Sequence, residues 1–156
     1  MTISEELMLK KASEHEVNLL FKWINDPVVR AQSLSVEKIS YEDHSKWFSK
    51  KITDSNCHFY IAYLNDLPVG MIRFDVNCDT STINYLIDQT QRGKGIGTAI
   101  VENGLKKFFH DTVFKGKIFA VVKTSNPASI KIFERLGFER ESADENLIYF
   151  KKHFHD

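Results

Sequence analysis

Three glycines stand at alternate positions in the stretch QRGKGIGTAI: Gly93, Gly95 and Gly97, with Arg92 before them and Lys94 and Ile96 between them. Thr98 follows, and Ile96 and Ile100 open an apolar stripe at helical spacing. The first N–H groups of a helix have no intrahelical partner, and the helix dipole adds partial positive charge there. Glycines ahead of such a helix keep side chains out of the way of a ligand. The stretch therefore describes an anion cradle with two cations at its rim. Two common phosphate loops do not fit it. Lys94 is followed by Gly95 rather than Ser or Thr, which excludes the P-loop pattern. The G-x-G-x-G spacing in mid-chain also departs from the G-x-G-x-x-G dinucleotide fingerprint.

The elements that must carry this loop can be read from periodicity. LMLKKA reads as a first strand. Ser13 and Glu16 form a capping-box pattern for a helix with Val17, Leu20, Phe21 and Ile24 inward, ended by Asp26-Pro27. Ser40 and Asp43 cap a second helix, with His44, Trp47, Phe48 and Lys51 on one side. Between these helices DPVVRAQSLSVEKI reads as an irregular, functional loop containing Arg30. CHFYIAYLNDLPVGMIRFDV has the alternation of a hairpin turned at Asn65-Asp66, placing Arg73 and Asp75 together on one face. STINYLI is a strand leading into the glycines. The helix after them buries Ile96, Ile100, Leu105 and Phe108. KIFAVV is a strand, NPASIKIFERLGF a helix ending at Gly137, and NLIYFKKHF the last strand. The order β-α-α-β-β-β-α-β-α-β is an α+β architecture on a mostly antiparallel central sheet with helices on both faces.

The cradle's position in that order has a counterpart. Arg92-Gly93-Lys94-Gly95-Ile96-Gly97 resembles the Q/R-x-x-G-x-G/A acetyl-CoA motif of the GNAT N-acetyltransferases. Asn126, Phe133 and Gly137-Phe138 are similar to that family's later helix ending in Gly-Phe. The resemblance covers nearly the whole chain. It implies the GNAT acyl-CoA N-acyltransferase fold, with acetyl-CoA as cosubstrate and a small amine as acceptor. Pantetheine would lie where the strand ending at Ile87 parts from the next strand, along Leu86 and Ile87. The pyrophosphate would lie on residues 92–98, with Asn126 and Phe133 also lining the cofactor.

Acyl transfer to an amine needs a route for the amine proton and a proton for the departing thiolate. Many GNAT enzymes place a Glu on the strand before the loop, where this chain has Thr82. His44, Asp75, and water at Asn84 or Tyr85 are the remaining candidates. His44 reads equally as a packed histidine, and Asp75 as a salt-bridge partner of Arg73. Many family members also carry a tyrosine at the position of Phe133, so the thiolate proton must come from Tyr85, Ser129 or a water at Asn126. On the acceptor side, FKWINDPVVRAQSL, ISYEDHSKWF and GMIRFD resemble the sugar-nucleotide N-acetyltransferases of the pseudaminic acid pathway. Arg30, Trp47 and Arg73 would then contact a nucleotide-linked amino sugar. A protein or ribosomal N-terminal acetyltransferase, another small-amine N-acetyltransferase and a non-catalytic CoA-binding module are the alternatives.

Composition narrows the field further. Lys plus Arg and Asp plus Glu number 21 each in 156 residues, so no global charge attracts nucleic acid. Apolar content of 42% suits one folded domain over 1–156. No apolar run reaches membrane-spanning length and MTISEELMLKK lacks an apolar signal core, which leads us to expect a cytoplasmic protein with no membrane partner. Cys57 and Cys78 read as free thiols, and the alternate His153 and His155 as a solvated terminal strand, so no metal is expected. The sequence leaves a homodimer open.

Overall fold

The computed structural model describes residues 1–154, so His155 lies outside the described residues. Seven strands form one sheet in the order β1-β2-β3-β4-β5-β7-β6. They are β1 (Met8–Lys11), β2 (Cys57–Leu64), β3 (Leu67–Asn77), β4 (Thr80–Ile87), β5 (Gly116–Lys123), β6 (Glu139–Ala143) and β7 (Leu147–Phe154). All neighbours are antiparallel except β4 and β5, which run parallel and pair only through Thr80, Ser81 and Thr82. β4 stays paired to β3 along its whole length, from Asn77–Thr80 to Gly70–Ile87. β5 is likewise paired to β7 from Gly116 to Lys123. Beyond Thr82 and Phe119 the sheet therefore divides into two wings with a V-shaped opening.

Helices α2 (Val17–Ile24), α3 (Pro27–Gln32) and α4 (Tyr41–Thr53) precede the hairpin, and α5 (Ile96–Asp111) and α6 (Pro127–Arg135) follow β4 and β5. A short α1 (Ile3–Glu6) contacts α5. α5 and α6 cover one sheet face, burying Ile96, Ile100, Phe108 and Phe133 against Ile72, Phe74, Ile118, Ala120 and Phe150. α2 and α4 cover the other face over β2 and β3, burying Leu20, Trp23 and Phe48 against Phe59, Ile61 and Met71. On that second face the alternation along β4, β5 and β7 leaves Thr82, Asn84, Val121 and Tyr149 exposed. The expected architecture is present, with helices on both faces of a mostly antiparallel sheet.

The caps show why the elements stop where they do. Ser40 accepts from the Asp43 amide at 3.1 Å, and Lys50 and Lys51 complement the dipole at the far end of α4. Asn65 and Asp66 both take positive φ, the geometry of a tight hairpin turn. Three expectations are corrected. The Ser13 hydroxyl bonds the Glu16 carboxylate instead of a backbone amide, and a 3-10 turn over Glu14–Glu16 precedes α2. The stretch expected to be irregular contains α3, because Asp26 ends α2 but also caps Val28 N at 3.0 Å with Pro27 in the first turn. An additional edge strand, β6, pairs with β7; its residues are all exposed, so it carries no buried alternation to betray it.

Candidate functional site

The glycine loop follows β4 through a 3-10 turn that Asp88 caps by accepting from Thr90 N at 2.8 Å. Gly93 and Gly95 both have positive φ, 78° and 79°, and a Cβ at either would meet nothing within 4 Å. The bare backbone is thus required by conformation and also faces open space. Gly95 is the N-cap of α5 and has no side chain to bond the first-turn amides, which leaves them for an anion. Thr98 stands half-buried in that turn, and Lys94 reaches Gln91 Oε1 at 3.5 Å at the rim. Gly97 has a different role. A Cβ there would come within 2.9 Å of Ile87 Cδ1 and 3.0 Å of Ile132 Cδ1, so Gly97 lets α5 sit tightly against β4 and α6.

The loop opens on the V. Leu86 and Ile87 line its β4 side beyond the last β4–β5 pair. Leu86 packs on the α2/α4 face and Ile87 on the α5/α6 face, so the backbone between them forms the rim. These features fit a CoA thioester: open amides for a pyrophosphate and an unpaired strand edge for the pantetheine amides. A cleft of about 200 Å³, bounded by Lys11, Thr53, His58 and Phe59, lies at the far end of β2 from the loop.

On the α5/α6 side of the V, three polar groups converge. Tyr85 Oη is hydrogen-bonded to Ser129 Oγ, and Asn126 Nδ2 donates to the same Ser129 Oγ at 3.1 Å. Asn126 Oδ1 meanwhile caps α6 by accepting from Ser129 N at 3.3 Å. Burial raises the Tyr85 pKa, partly offset by the Ser129 bond, so the phenol keeps its proton. Phe133 is buried and packs edge-on against Tyr85 with centroids 6.0 Å apart. Phe133 thus lies in the core behind Tyr85, whose ring edge comes within 3.7 Å of a Cβ built at Gly97.

The expected acid–base residues on the other face are engaged. His44 is 1% exposed, stacks on Phe48, and donates from Nε2 to the Val17 carbonyl at 2.8 Å. Burial lowers its pKa against the opposing pull of that bond, keeping it neutral. The ring is thus packed in the core with Nε2 engaged. Asp75 accepts from Arg73 Nε and Lys51 Nζ, both at 2.8 Å. Burial alone would raise its carboxyl, but these two cations outweigh it and hold the pKa below the ordinary range. A carboxylate so stabilised is a poor base. Asn84 is opposite Arg73 and exposed on the open face.

The expected acceptor residues fare similarly. Arg30 donates to the Ile24, Ser35 and Glu37 carbonyls at 2.6, 2.9 and 3.2 Å and to Ser33 Oγ at 3.1 Å. It organises its own loop rather than presenting a free guanidinium. Arg73 also sits 4.9 Å from the Trp47 ring centre, so these two form a stacked pair beside Asp75. Arg92 is bound to the Asp26 carboxylate and reaches the Ile87 carbonyl at 3.4 Å.

Reasoning from sequence missed the open face itself. Val121 and Tyr149, each 37% exposed, are cross-strand partners there, with Phe119 and Lys151 as the next pair. Five cations (Lys51, Arg73, Lys117, Lys123, Lys151) stand around this face against three carboxylates (Asp75, Glu139, Glu141). Lysines bracketing the apolar run of KIFAVVK and closing that of LIYFKK were the available signal.

Among the described residues no group of His, Cys, Asp or Glu is arranged to hold a metal, and no helix is long and apolar enough to cross a membrane. Comparison with known proteins gives one consistent picture. A family model for the acetyltransferase (GNAT) domain matches residues 6–139. The acetyltransferase PseH of Campylobacter jejuni is 24% identical over 137 residues, covering 88% of this chain and 85% of the relative. The aminoglycoside acetyltransferase AAC(6')-Ib, solved with ribostamycin and coenzyme A, superposes with a TM-score of 0.80 at 23% identity over 95% of this chain and 93% of that one. Spermidine N-acetyltransferase from Vibrio cholerae, with CoA and spermine, gives 0.86 at 15% identity over 96% of each.

Proposed function

The chain belongs to the GNAT acetyltransferase family, and from that premise we propose that it acetylates the amine of a nucleotide-linked amino sugar. Family membership makes it an N-acetyltransferase with acetyl-CoA as donor; the acceptor is the proposal. The observation that carries it is the open sheet face beside the V. Phe119, Val121 and Tyr149 offer apolar and aromatic surface to a sugar or base, while the excess of cations suits a diphosphate. A polycationic acceptor would meet Lys117, Lys123 and Lys151 as like charges. The similarity to PseH over most of both chains supports the same reading.

Acetyl-CoA supplies the acetyl group as a thioester held by the 93–98 amides and the β4 edge. A backbone N–H near Leu86 or Ile87 polarises the carbonyl. The amine approaches from the open face, and its proton passes to water held beside Asn84. The Tyr85–Ser129 pair delivers a proton on the opposite side. The test is a panel of nucleotide-linked amino sugars, spermidine, an aminoglycoside and a free-amine peptide, read by CoA thiol release and by acetyl mass gain on the acceptor. The reading predicts kcat/KM for one nucleotide-linked sugar at least about 100-fold above spermidine. Faster turnover of spermidine, the aminoglycoside or the peptide would replace it with that acceptor class, and no turnover of any would favour a CoA-binding module.

A further inference from the structure

We infer that α3 is a strap across the open end of the V, and that Asp26 and Arg92 are positioning residues that hold it in place. The inference rests on the acetyl-CoA reading only for what lies beneath the strap. The two wings part beyond Thr82 and Phe119, and the two ends of α3 are fastened to opposite wings. At its start the Asp26 side chain, 10% exposed, accepts from Val28 N at Oδ1 and from the Arg92 guanidinium at Oδ2, just past the β4 wing. Arg92 also reaches the Ile87 carbonyl on that wing. At its end Lys123 Nζ donates to the Ala31 carbonyl at 2.8 Å, and Gln32 bonds Ser125 through both amide atoms, at 3.5 and 3.4 Å, on the β5 wing. The preceding helix is tied to the β4 end by Trp23 Nε1 donating to Asp88 Oδ2 at 2.7 Å.

α3 has six residues and none of them is buried. A helix this short does not hold itself, and it has no apolar face in the core to hold it. Its placement therefore comes from the polar fastenings, and the Arg92 charge is matched by Asp26 instead of being left to the cradle. Arg92, which the glycine motif would assign to the pyrophosphate, thus serves the acceptor side. Lys94 and the loop amides are left to hold the anion.

The test uses the whole chain with CoA as the probe, in the unsubstituted protein and in Asp26→Asn, Arg92→Gln and Gly95→Val. Hydrogen exchange by mass spectrometry follows a peptide covering residues 27–33, with α5 peptides in the same sample reporting that the core is intact. Calorimetry gives the CoA affinity. Asp26→Asn and Arg92→Gln should each raise strap exchange at least about tenfold, while CoA affinity stays within about fivefold. Gly95→Val should do the reverse. Unchanged strap exchange in either latch variant, or CoA weakened by more than about fivefold in Arg92→Gln, overturns the inference. Failure of the unsubstituted chain to bind CoA would overturn the acetyl-CoA reading instead, and the exchange measurement would still decide the strap.

Discussion

Removing the Tyr85 and Ser129 hydroxyls, singly and together, should move activity and stability in different patterns. The pair holds two hydroxyl protons, and Ser129 Oγ already accepts from Asn126 Nδ2. Only one of the two protons is used in the bond between them, whichever atom donates it. On the proposed reading the second is the proton offered to the departing sulfur. In Tyr85→Phe or Ser129→Ala the surviving hydroxyl still owns a proton, so kcat should fall by no more than about tenfold. The double variant has none. Its kcat should fall about 100-fold, roughly 2.7 kcal/mol of barrier, at the low end for general acids because a thiolate of pKa near 8.5 leaves readily.

Stability should follow the opposite logic. Ser129 is buried, so each single change strands a polar group and should cost about 1–3 kcal/mol, whereas the double change strands less and should cost less than the sum. For a chain of this size each kcal/mol moves the melting midpoint by about 2–4 °C. The assay is CoA thiol release at saturating donor and acceptor, alongside thermal melts of all four proteins. If the double variant keeps kcat within about threefold of the parent, water is the acid and the proton count is irrelevant. Phe133→Tyr should leave the rate within about tenfold. A rise of several hundredfold would show that the parent lacks effective protonation. Because the Tyr85 pKa is raised, kcat/KM should climb with amine or base deprotonation and show no descending limb from a tyrosine below about pH 10.

Gly95→Val forces a β-branched residue to positive φ and narrows the cradle, so acetyl-CoA KM should rise at least about tenfold, measured with melting as a control for folding. Arg30→Ala removes four hydrogen bonds within the acceptor-side loop; exchange of residues 33–39 should rise and stability fall by about 1–2 kcal/mol, with CoA affinity unchanged. The Asp75 carboxyl is held below its unfolded pKa, so its contribution is present above about pH 3.9 and is lost as pH falls through the folded value. Asp75→Asn should therefore lower the melting midpoint at neutral pH and flatten its decline in acid, read from melts across pH.

Much of this arrangement was legible because backbone needs leave marks on residue choice. Gly93 and Gly95 announce positive φ, Asn65-Asp66 announces a tight turn, and Ile96, Ile100, Leu105 and Phe108 announce the buried side of α5. What stayed hidden was decided by partners distant in sequence. Arg30 and Arg92 look alike as free cations, yet one closes a local loop and the other meets Asp26 across 66 residues. His44 carries no local sign that Val17 will take its Nε2 proton. α3 was hidden because its six residues bury nothing, and β6 because every residue in it is exposed.

On the reading proposed for the acceptor, the two faces of the sheet divide the proton traffic that the reaction requires. On the α5/α6 side the V is lined by neutral hydroxyls, and the Tyr85 phenol stays protonated because burial raises its pKa. On the open side the carboxylate expected to act as a base, Asp75, is fixed between Arg73 and Lys51. The imidazole expected there, His44, is sealed in the core. A single residue therefore need not take the amine proton and hand it to the sulfur. On that reading the amine loses its proton to solvent on the exposed face, where neighbouring cations would favour the neutral amine by disfavouring its ammonium form. On the same reading the sulfur gains a different proton from the Tyr85–Ser129 pair, which solvent water then restores. On this reading such a site needs no strand glutamate where Thr82 stands and no tyrosine at residue 133, because the cations of the open face would disfavour the ammonium form while the buried Tyr85 phenol keeps its proton for the sulfur.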